Sequence, residues 1–205
     1  KTEMWYIVDC DEGSSLIYGL SKELSKEEFS ERIKNNTLLE VTNSVPVKKG
    51  DVFFIESGTL HAIGKGIVIA EIQQNSNTTY RVFDYGRIGA DGKPRPLHVE
   101  KAIEVTSLKP LPERAPISYE NFEGFEKVCL SSCEYFNVYK YNITKSAVFN
   151  ADEKSFNSVL VIDGSGLLNY ENKNTEINKG DSVFIPAGMG KYIISGNLSV
   201  ILTDI

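Results

Sequence analysis

The sequence is poor in several residues that mark common protein classes. Its 205 residues include 3 cysteines, 2 histidines and 1 tryptophan, and Cys10, Cys129 and Cys133 form no CxxC pair. So few cysteines, odd in number, argue against a disulfide framework and favour a reduced, cytoplasmic protein. No hydrophobic run approaches the roughly 18 residues of a membrane-spanning helix, and no signal-peptide pattern opens the chain. We therefore expect neither a membrane partner nor secretion.

Positive charge is also in short supply. Lysine and arginine total 22 against 28 aspartate and glutamate residues, which gives a net charge of -6 and a pI of about 5.1. This balance argues against a nucleic-acid partner, which favours a basic surface. A small anionic substrate stays possible because a pocket can be basic on an acidic protein. With 41% hydrophobic and 24% charged residues, the composition is that of a globular protein with a sizeable core.

Short apolar runs separated by glycine, asparagine and serine turns predict a mainly β protein, either a sandwich or a jelly roll. The runs include residues 80–83, 158–162, 166–170, 192–194 and 198–202. One convincing helix is predicted over residues 26–35, where Ser25 and Glu28 form a capping-box pattern. Residues 97–105 predict a second short helix or a strand.

The chain contains an internal repeat on either side of a proline-rich segment. Residues 49–58 (KGDVFFIESG) match residues 179–188 (KGDSVFIPAG) at an offset of 130, and no gap is needed through Gly66 and Gly196. A repeat of this kind indicates a duplicated β-unit. We therefore predict a first barrel over residues 1–108, a linker over 109–116 and a second barrel over 117–205.

The two copies differ at positions that could bind a metal. His61 aligns with Lys191, and Glu71 aligns with Ile201. The simplest interpretation is one working metal site in the first barrel and a second, degenerate barrel without metal ligands. A lone histidine in a strand is more often a core or surface residue. The hairpin around His61 and the divergence of the repeat favour the metal site here.

Two further residues bear on this site. Glu3 begins a strand, and burying its carboxylate without a partner would cost several kcal/mol, which a bound metal would offset. Lys1 would share the face of Glu3 in a strand, since alternate residues point the same way. His98 has no hairpin context and is expected to be structural or to line the pocket rim. A catalytic zinc site normally has three protein ligands, so Glu3 and His61 alone are too few.

A family resemblance rests on five motifs in the same order. They are residues 1–7 (KTEMWYI), 58–64 (GTLHAIG), 71–76 (EIQQNS), 79–86 (TYRVFDYG) and 91–98 (DGKPRPLH). Together they resemble the type I mannose-6-phosphate isomerases of the cupin superfamily, in their short bacterial form. The match runs through about residue 108, and the second half fits that family's C-terminal cupin barrel less closely.

The resemblance implies two tandem cupin barrels and one Zn²⁺ bound by glutamine, glutamate and two histidines. Two of these ligands fall on Glu3 and His61, and the family's active-site arginine falls on Arg81. The other two belong to a Gln-x-His-Pro strand that this sequence does not contain. We expect that strand upstream of Lys1, so the first barrel is expected to lack its N-terminal strands.

The implied reaction interconverts mannose 6-phosphate and fructose 6-phosphate through a cis-enediol. Arg81 is a candidate to stabilise the enediolate, Glu71 to transfer protons or orient a ligand, and Lys1 to bind the sugar or its phosphate. A monomer or homodimer is expected. The alternative is a non-catalytic cupin module that binds a sugar or has a structural role. A cupin dioxygenase would need more histidines than the sequence has.

Overall fold

The computed structural model describes residues 1–84 and 87–205. Tyr85 and Gly86, which end the motif at residues 79–86, lie outside the described residues. The chain divides into two compact units, Lys1–Arg114 and Ala115–Ile205. Both are built mainly from antiparallel strands, so the prediction of a mainly β protein is confirmed. Within the described part of the chain, no helix is long and apolar enough to cross a membrane.

The first unit combines short strands with small helices. In chain order its described elements are β1 (Glu3–Cys10), β2 (Ser15–Leu20), α1 (Lys26–Lys34), a 3-10 helix (Leu38–Val41), β3 (Thr42–Pro46), β4 (Val52–Ile55), β5 (His61–Ala62), β6 (Ile67–Gln73) and α2 (Val99–Val105). The strands form two antiparallel sheets, in the orders β4-β1-β6 and β3-β2-β5.

An apolar cluster in the first unit draws on both of its sheets. Because side chains alternate across a strand, every second residue of β1 and β2 can face this core. Its buried members are Trp5, Ile7, Leu16, Tyr18, Phe53 and Ile55. This core fixes the direction in which the neighbouring polar residues of β1 and β6 point.

The predicted helix is confirmed as α1. Ser25 Oγ accepts the N–H of Glu28 at 3.1 Å, which caps the first turn. The carboxylate of Glu28 accepts hydrogen bonds from Lys22 and Arg32, so it stabilises the outer face of the helix. The inner face buries Phe29 and Ile33 in a second apolar cluster, to which Ala102 of α2 also belongs.

The second unit is all strand among its described elements. They are β7 (Glu120–Phe122), β8 (Phe125–Ser132), β9 (Asn137–Ile143), β10 (Ser146–Ala151), β11 (Asn157–Tyr170), β12 (Lys173–Asn178), β13 (Ser182–Ile185) and β14 (Gly190–Asp204). The sheet runs in the order β12-β11-β14-β9-β8-β7, with β10 paired to β14 and β13 paired to β11.

Several sequence predictions of strand ends were wrong. Residues 158–162 and 166–170 are one strand, β11, and residues 192–194 and 198–202 both belong to β14. Gly166, at the start of one predicted run, and Gly196, between two others, face each other across β11 and β14. A Cβ on Gly196 would lie 2.7 Å from Gly166 Cα, so these glycines permit close strand approach instead of a turn. Residues 80–83 form no strand.

The repeat predicted from sequence is visible in the backbone hydrogen bonds. Gly50 N–H donates to Ile7 O at 2.9 Å, and Gly180 N–H donates to Val161 O at 2.9 Å. The two glycines also share a positive φ, 95° and 97°. Ile7 and Val161 therefore occupy equivalent places, as do strands β4 and β13.

The repeat does not stay in the same alignment along its whole length. In the first unit Trp5 of β1 faces Glu71 of β6. Val159 is the equivalent of Trp5, and it faces Leu202. The alignment of Glu71 with Ile201 was therefore wrong by one residue, and the buried Leu202 takes the place of the carboxylate.

The same correction applies to the histidine. His61 faces Glu3, whereas the buried Tyr192 donates its hydroxyl to Asn157, the equivalent of Glu3. Lys191 is exposed, so it does not take the place of His61. The physical reason is a longer connection. One more residue separates Gly188 from Tyr192 than separates the corresponding Gly58 from His61.

Candidate functional site

Four polar or aromatic side chains lie on one face of the β1–β6 pair. Glu3 pairs with Gln73, and Trp5 pairs with Glu71. Residues opposite each other in an antiparallel pair point to the same face, as do alternate residues of one strand. On this shared face Glu3 and Trp5 are buried, whereas Glu71 and Gln73 lie at its exposed edge.

Glu3 and Glu71 form a hydrogen-bonded carboxyl pair. Glu3 is only 2% exposed. Burial, followed by the hydrogen bond to Glu71 and its negative charge, raises the pKa of Glu3 to about 7, although Lys1 opposes the shift. Lys1 Nζ lies 3.4 Å from Glu3 Oε1 and also donates to Gln73 Oε1. The lysine therefore faces the carboxyl pair and not bulk water.

Glu71 is the ionised partner of this pair. Burial raises its pKa, but the hydrogen bonds from Glu3 and Trp5, together with the charge of Lys1, outweigh burial and lower the pKa below its ordinary value. The indole N–H of Trp5 donates to Glu71 Oε1 at 3.0 Å. Glu71 thus has a fixed carboxylate, and Glu3 holds the shared proton.

His61 presents one ring nitrogen to Glu3. Its Nδ1 lies 2.7 Å from Thr59 O, a contact in which Nδ1–H donates to the carbonyl. Burial lowers the pKa of His61, which favours the neutral ring. The lone pair is then on Nε2, 3.8 Å from Glu3 Oε2. The edge of the ring packs against Trp5, with centroids 5.2 Å apart.

The donor set fits part of a zinc site. A neutral imidazole oriented through its other nitrogen and a buried carboxylate are ordinary zinc ligands. Two ligands of one tetrahedral zinc ion lie roughly 3.3 Å apart, given bond lengths of about 2.0–2.2 Å, and the 3.8 Å between His61 and Glu3 is close to this. Within residues 1–84 and 87–205, no group of three histidine, cysteine, aspartate or glutamate side chains could hold a metal.

Two cavities have His61 in their lining. One, of about 260 Å³, is lined by Lys1, Glu3, His61 and Ala102 of α2. The other, of about 300 Å³, is lined by His61 together with Arg81, Asp84, Arg87 and Arg95. The second cavity is locally basic, as a site for an anionic ligand requires on an acidic protein.

Arg81 belongs to the second cavity and does not contact the carboxyl pair. Its Nε lies 3.6 Å from Asp84 Oδ1, and its Nη1 donates to Pro96 O at 3.3 Å. Arg95 forms a closer ion pair with the same Asp84. His98 fixes the backbone of Arg81 from both sides: its N–H donates to Arg81 O, and its Nδ1 accepts Arg81 N–H. His98 is thus a support for Arg81.

Known proteins resemble this chain in sequence over its whole length. It is 40% identical over 205 residues to mannose-6-phosphate isomerase ManA of Bacillus subtilis, covering 100% of this chain and 64% of that protein. It is 37% identical over 201 residues to mannose-6-phosphate isomerase of Streptococcus mutans, covering 98% of this chain and 63% of that protein. Residues 126–205 match the family model of the mannose-6-phosphate isomerase cupin domain.

The chain is thus similar, from end to end, to mannose-6-phosphate isomerases. Its fold agrees: the crystal structure of the Bacillus subtilis mannose 6-phosphate isomerase superposes with a TM-score of 0.93 at 39% identity, covering 100% of this chain and 64% of that one. The two tandem cupin barrels predicted from sequence are therefore the fold of these proteins. The chain spans slightly less than two thirds of the length of these relatives.

A more distant member of the fold carries ligands. Mannose 6-phosphate isomerase from Salmonella typhimurium, in a structure described as bound to substrate (f6p) and a metal atom (zn), matches with a TM-score of 0.70. Identity is 13%, and the match covers 99% of this chain and 66% of that one. At this identity the match supports the shared fold.

Sequence reasoning missed two contributors to the site. Trp5 was treated only as part of a strand, yet it contacts both Glu71 and His61. Its role could have been found by pairing β1 with β6 in register. Arg95 was not singled out, although it donates the closest hydrogen bonds to Asp84. Nothing in the local sequence indicates that pair.

Proposed function

We propose that this protein interconverts mannose 6-phosphate and fructose 6-phosphate, with Glu3 and His61 as two of the protein ligands of one Zn²⁺. The observation that carries the proposal is the facing pair itself. A neutral, oriented imidazole lies 3.8 Å from a buried carboxyl group in a chain similar to mannose-6-phosphate isomerases. A cytoplasmic location and a monomeric or homodimeric state remain predictions from the sequence.

The proposal assigns different tasks to the two halves. Residues 1–108 would form the metal-binding, catalytic barrel, residues 109–116 the linker, and residues 117–205 a degenerate barrel without metal ligands. The support is that a neutral Asn157 and a Tyr192 take the places of Glu3 and His61 in the second unit. These two side chains hydrogen-bond to each other at 3.1 Å.

The reaction moves one proton between two neighbouring carbons of the sugar. Starting from the aldose, a base takes the proton from C2, and the carbonyl oxygen on C1 gains a proton to give the cis-enediol. The enediol then loses the proton on the C2 oxygen and is protonated on C1, which yields the ketose. Bound zinc would supply Lewis acidity toward the sugar oxygens.

Three side chains are assigned to this sequence of steps. Glu71 is ionised and is placed to exchange protons with the substrate or with Glu3. Lys1 lies beside the carboxyl pair and would bind substrate oxygens. Arg81 and His61 both line the basic cavity, where a permanent positive charge would stabilise an enediolate or a phosphate.

The test is an isomerisation assay with mannose 6-phosphate on purified protein, together with measurement of bound metal. Glu3→Ala and His61→Ala should each abolish zinc binding and activity, whereas the control Lys191→Ala should leave both unchanged. Wild-type activity that survives both alanine substitutions would contradict the metal-site assignment.

The alternative is a non-catalytic cupin module. It is favoured by the finding that the described residues bring only two candidate ligands face to face. This alternative predicts no isomerisation by the wild-type protein and no loss of sugar binding in His61→Ala. Activity in the wild type, lost in His61→Ala, would exclude it.

A further inference from the structure

We propose that Trp5 is a positioning residue of the isomerase site, which fixes the Glu71 carboxylate and the His61 ring in their working orientations. This inference rests on the proposed function. It assigns a role to the single tryptophan of the chain, a residue to which neither the sequence motifs nor the family resemblance gives one.

Trp5 contacts both sides of the candidate site. Its indole N–H donates to Glu71 Oε1 at 3.0 Å, and Glu71 in turn hydrogen-bonds to Glu3. The edge-on contact with His61 has an interplanar angle of 80° and a centroid distance of 5.2 Å. One rigid side chain thus supports the carboxyl pair and the imidazole together.

The indole cannot readily move. Trp5 is 2% exposed, and its backbone pairs with Phe53 on one side and Glu71 on the other. A side chain so confined transmits a fixed orientation to the groups it contacts. Partners of this kind, one step removed from a metal ligand, typically affect metal affinity or activity by about 10- to 100-fold.

The second unit shows that the barrel itself does not need this residue. Val159 takes the place of Trp5 there, and it faces Leu202 where Trp5 faces Glu71. Val159 is fully buried, so a much smaller apolar side chain fills this barrel position. The indole and its carboxylate are therefore both absent from the unit that lacks the candidate ligands.

The test compares Trp5→Phe with the control Tyr192→Phe. Each variant removes one hydrogen bond from a buried aromatic side chain, the first at the site and the second in the other unit. Trp5→Phe should weaken zinc binding, measured by competition with a chromophoric chelator, by about 10-fold and lower kcat more than it changes KM. Tyr192→Phe should leave zinc affinity and kcat within twofold of wild type.

A double substitution separates positioning from a general loss of stability. If Trp5 acts through Glu71, then Trp5→Phe should change zinc affinity much less in the Glu71→Leu background than in wild type. Urea unfolding of all four proteins checks the fold. Equal losses in both backgrounds, or a Trp5→Phe protein with wild-type zinc affinity and kcat, would overturn the inference.

A measurement on the wild-type protein covers the case in which Trp5→Phe does not fold. Because Trp5 is the only tryptophan, intrinsic fluorescence reports on this one site. Adding Co²⁺ should quench the emission, and His61→Ala should abolish the quenching; unchanged emission in wild type would overturn the inference. A wild type that binds metal without isomerising mannose 6-phosphate would contradict the proposed function alone.

Discussion

The interiors of the two units differ at equivalent positions of a similar barrel framework. Glu3 and His61 of the first unit correspond to Asn157 and Tyr192 of the second, which form a neutral hydrogen bond at 3.1 Å. In the first unit the corresponding atoms are 3.8 Å apart, too far for a hydrogen bond. In the second unit the two side chains bond to each other, whereas in the first the carboxyl group bonds to Glu71 and Lys1, the imidazole bonds to Thr59, and the two groups face each other without a direct bond.

This difference separates what the barrel needs from what the site needs. The second unit buries a leucine, Leu202, where the first has the exposed Glu71. Burial of the Glu3 carboxyl group, which raises its pKa, costs folding free energy. The first unit tolerates that cost at the place where a cation would compensate for it.

The largest expected effect comes from replacing three site residues of the first unit by the residues at the equivalent positions of the second. The triple variant Glu3→Asn, His61→Tyr, Glu71→Leu should lose zinc binding and lower isomerase activity by at least roughly 10²- to 10³-fold, since the candidate ligands are removed. Neutral groups replace the carboxyl pair, so the free energy of unfolding should stay within about 2 kcal/mol of wild type. Chelator competition, the isomerase assay and urea unfolding measure these quantities. Retained zinc binding would contradict the assignment of Glu3 and His61 as zinc ligands.

Next in size is the effect of one glycine substitution made in both units. Gly58→Ala would place a Cβ 2.5 Å from the backbone oxygen of Val105 and strain a φ of 95°, so we expect a loss of about 3 kcal/mol or more. At Gly188, φ is 77°, and the nearest atom would be Glu153 Oε1 at 3.7 Å, so Gly188→Ala should cost only about 1–2 kcal/mol. Equal losses in urea unfolding would show that the two turns are packed alike.

A pH dependence should distinguish the units in metal-free protein. The pKa of Glu3 rises from 4.5 to about 7 on folding, so the folded state binds this proton more tightly than the unfolded state. Burial lowers the pKa of His61, and this group contributes a slope of the opposite sign, so the measurement uses a His61→Ala background. There the free energy of unfolding should fall by about 2 kcal/mol as pH rises from 5.5 to 8. Urea midpoints in the presence of a chelator measure it.

The controls for that slope are two glutamine substitutions. Glu3→Gln should flatten the dependence because the shifted carboxyl group is gone. Glu123→Gln, at an exposed glutamate of the second unit, should leave it unchanged. A slope that persists in Glu3→Gln would place its origin outside the carboxyl pair.

The smallest expected effect concerns α1, which has no counterpart among the described elements of the second unit. Ser25→Ala removes the N-cap hydrogen bond to Glu28 N–H and should cost about 1 kcal/mol in urea unfolding. Ser30→Ala, within the same helix, is the matched control and should change stability by less than about 0.5 kcal/mol. A larger loss of unfolding free energy in Ser30→Ala than in Ser25→Ala would show that the capping hydrogen bond is not the main contribution of this helix turn to stability.

The sequence predicted the fold class and α1 because both depend on local patterns, such as short apolar runs and a serine cap. It also led to Glu3 and His61 as a pair. It did not predict the shared proton of Glu3 and Glu71 or the support from Trp5, because those depend on the register of β1 against β6. The ungapped alignment of the repeat was wrong for Lys191 and Ile201, since matching glycines cannot reveal one extra residue between Gly188 and Tyr192.

That longer connection after Gly188 has a consequence for how such repeats are compared. The connection accommodates the extra residue, because Tyr192, four residues after Gly188, still faces Asn157, as His61, three residues after Gly58, faces Glu3. The pairing of the strand, and not the number of residues after the last glycine, decides which side chains face the interior. A single-codon insertion after Gly58 would therefore leave His61 beside Glu3, and an ungapped sequence comparison would score the histidine as lost although the pair is intact.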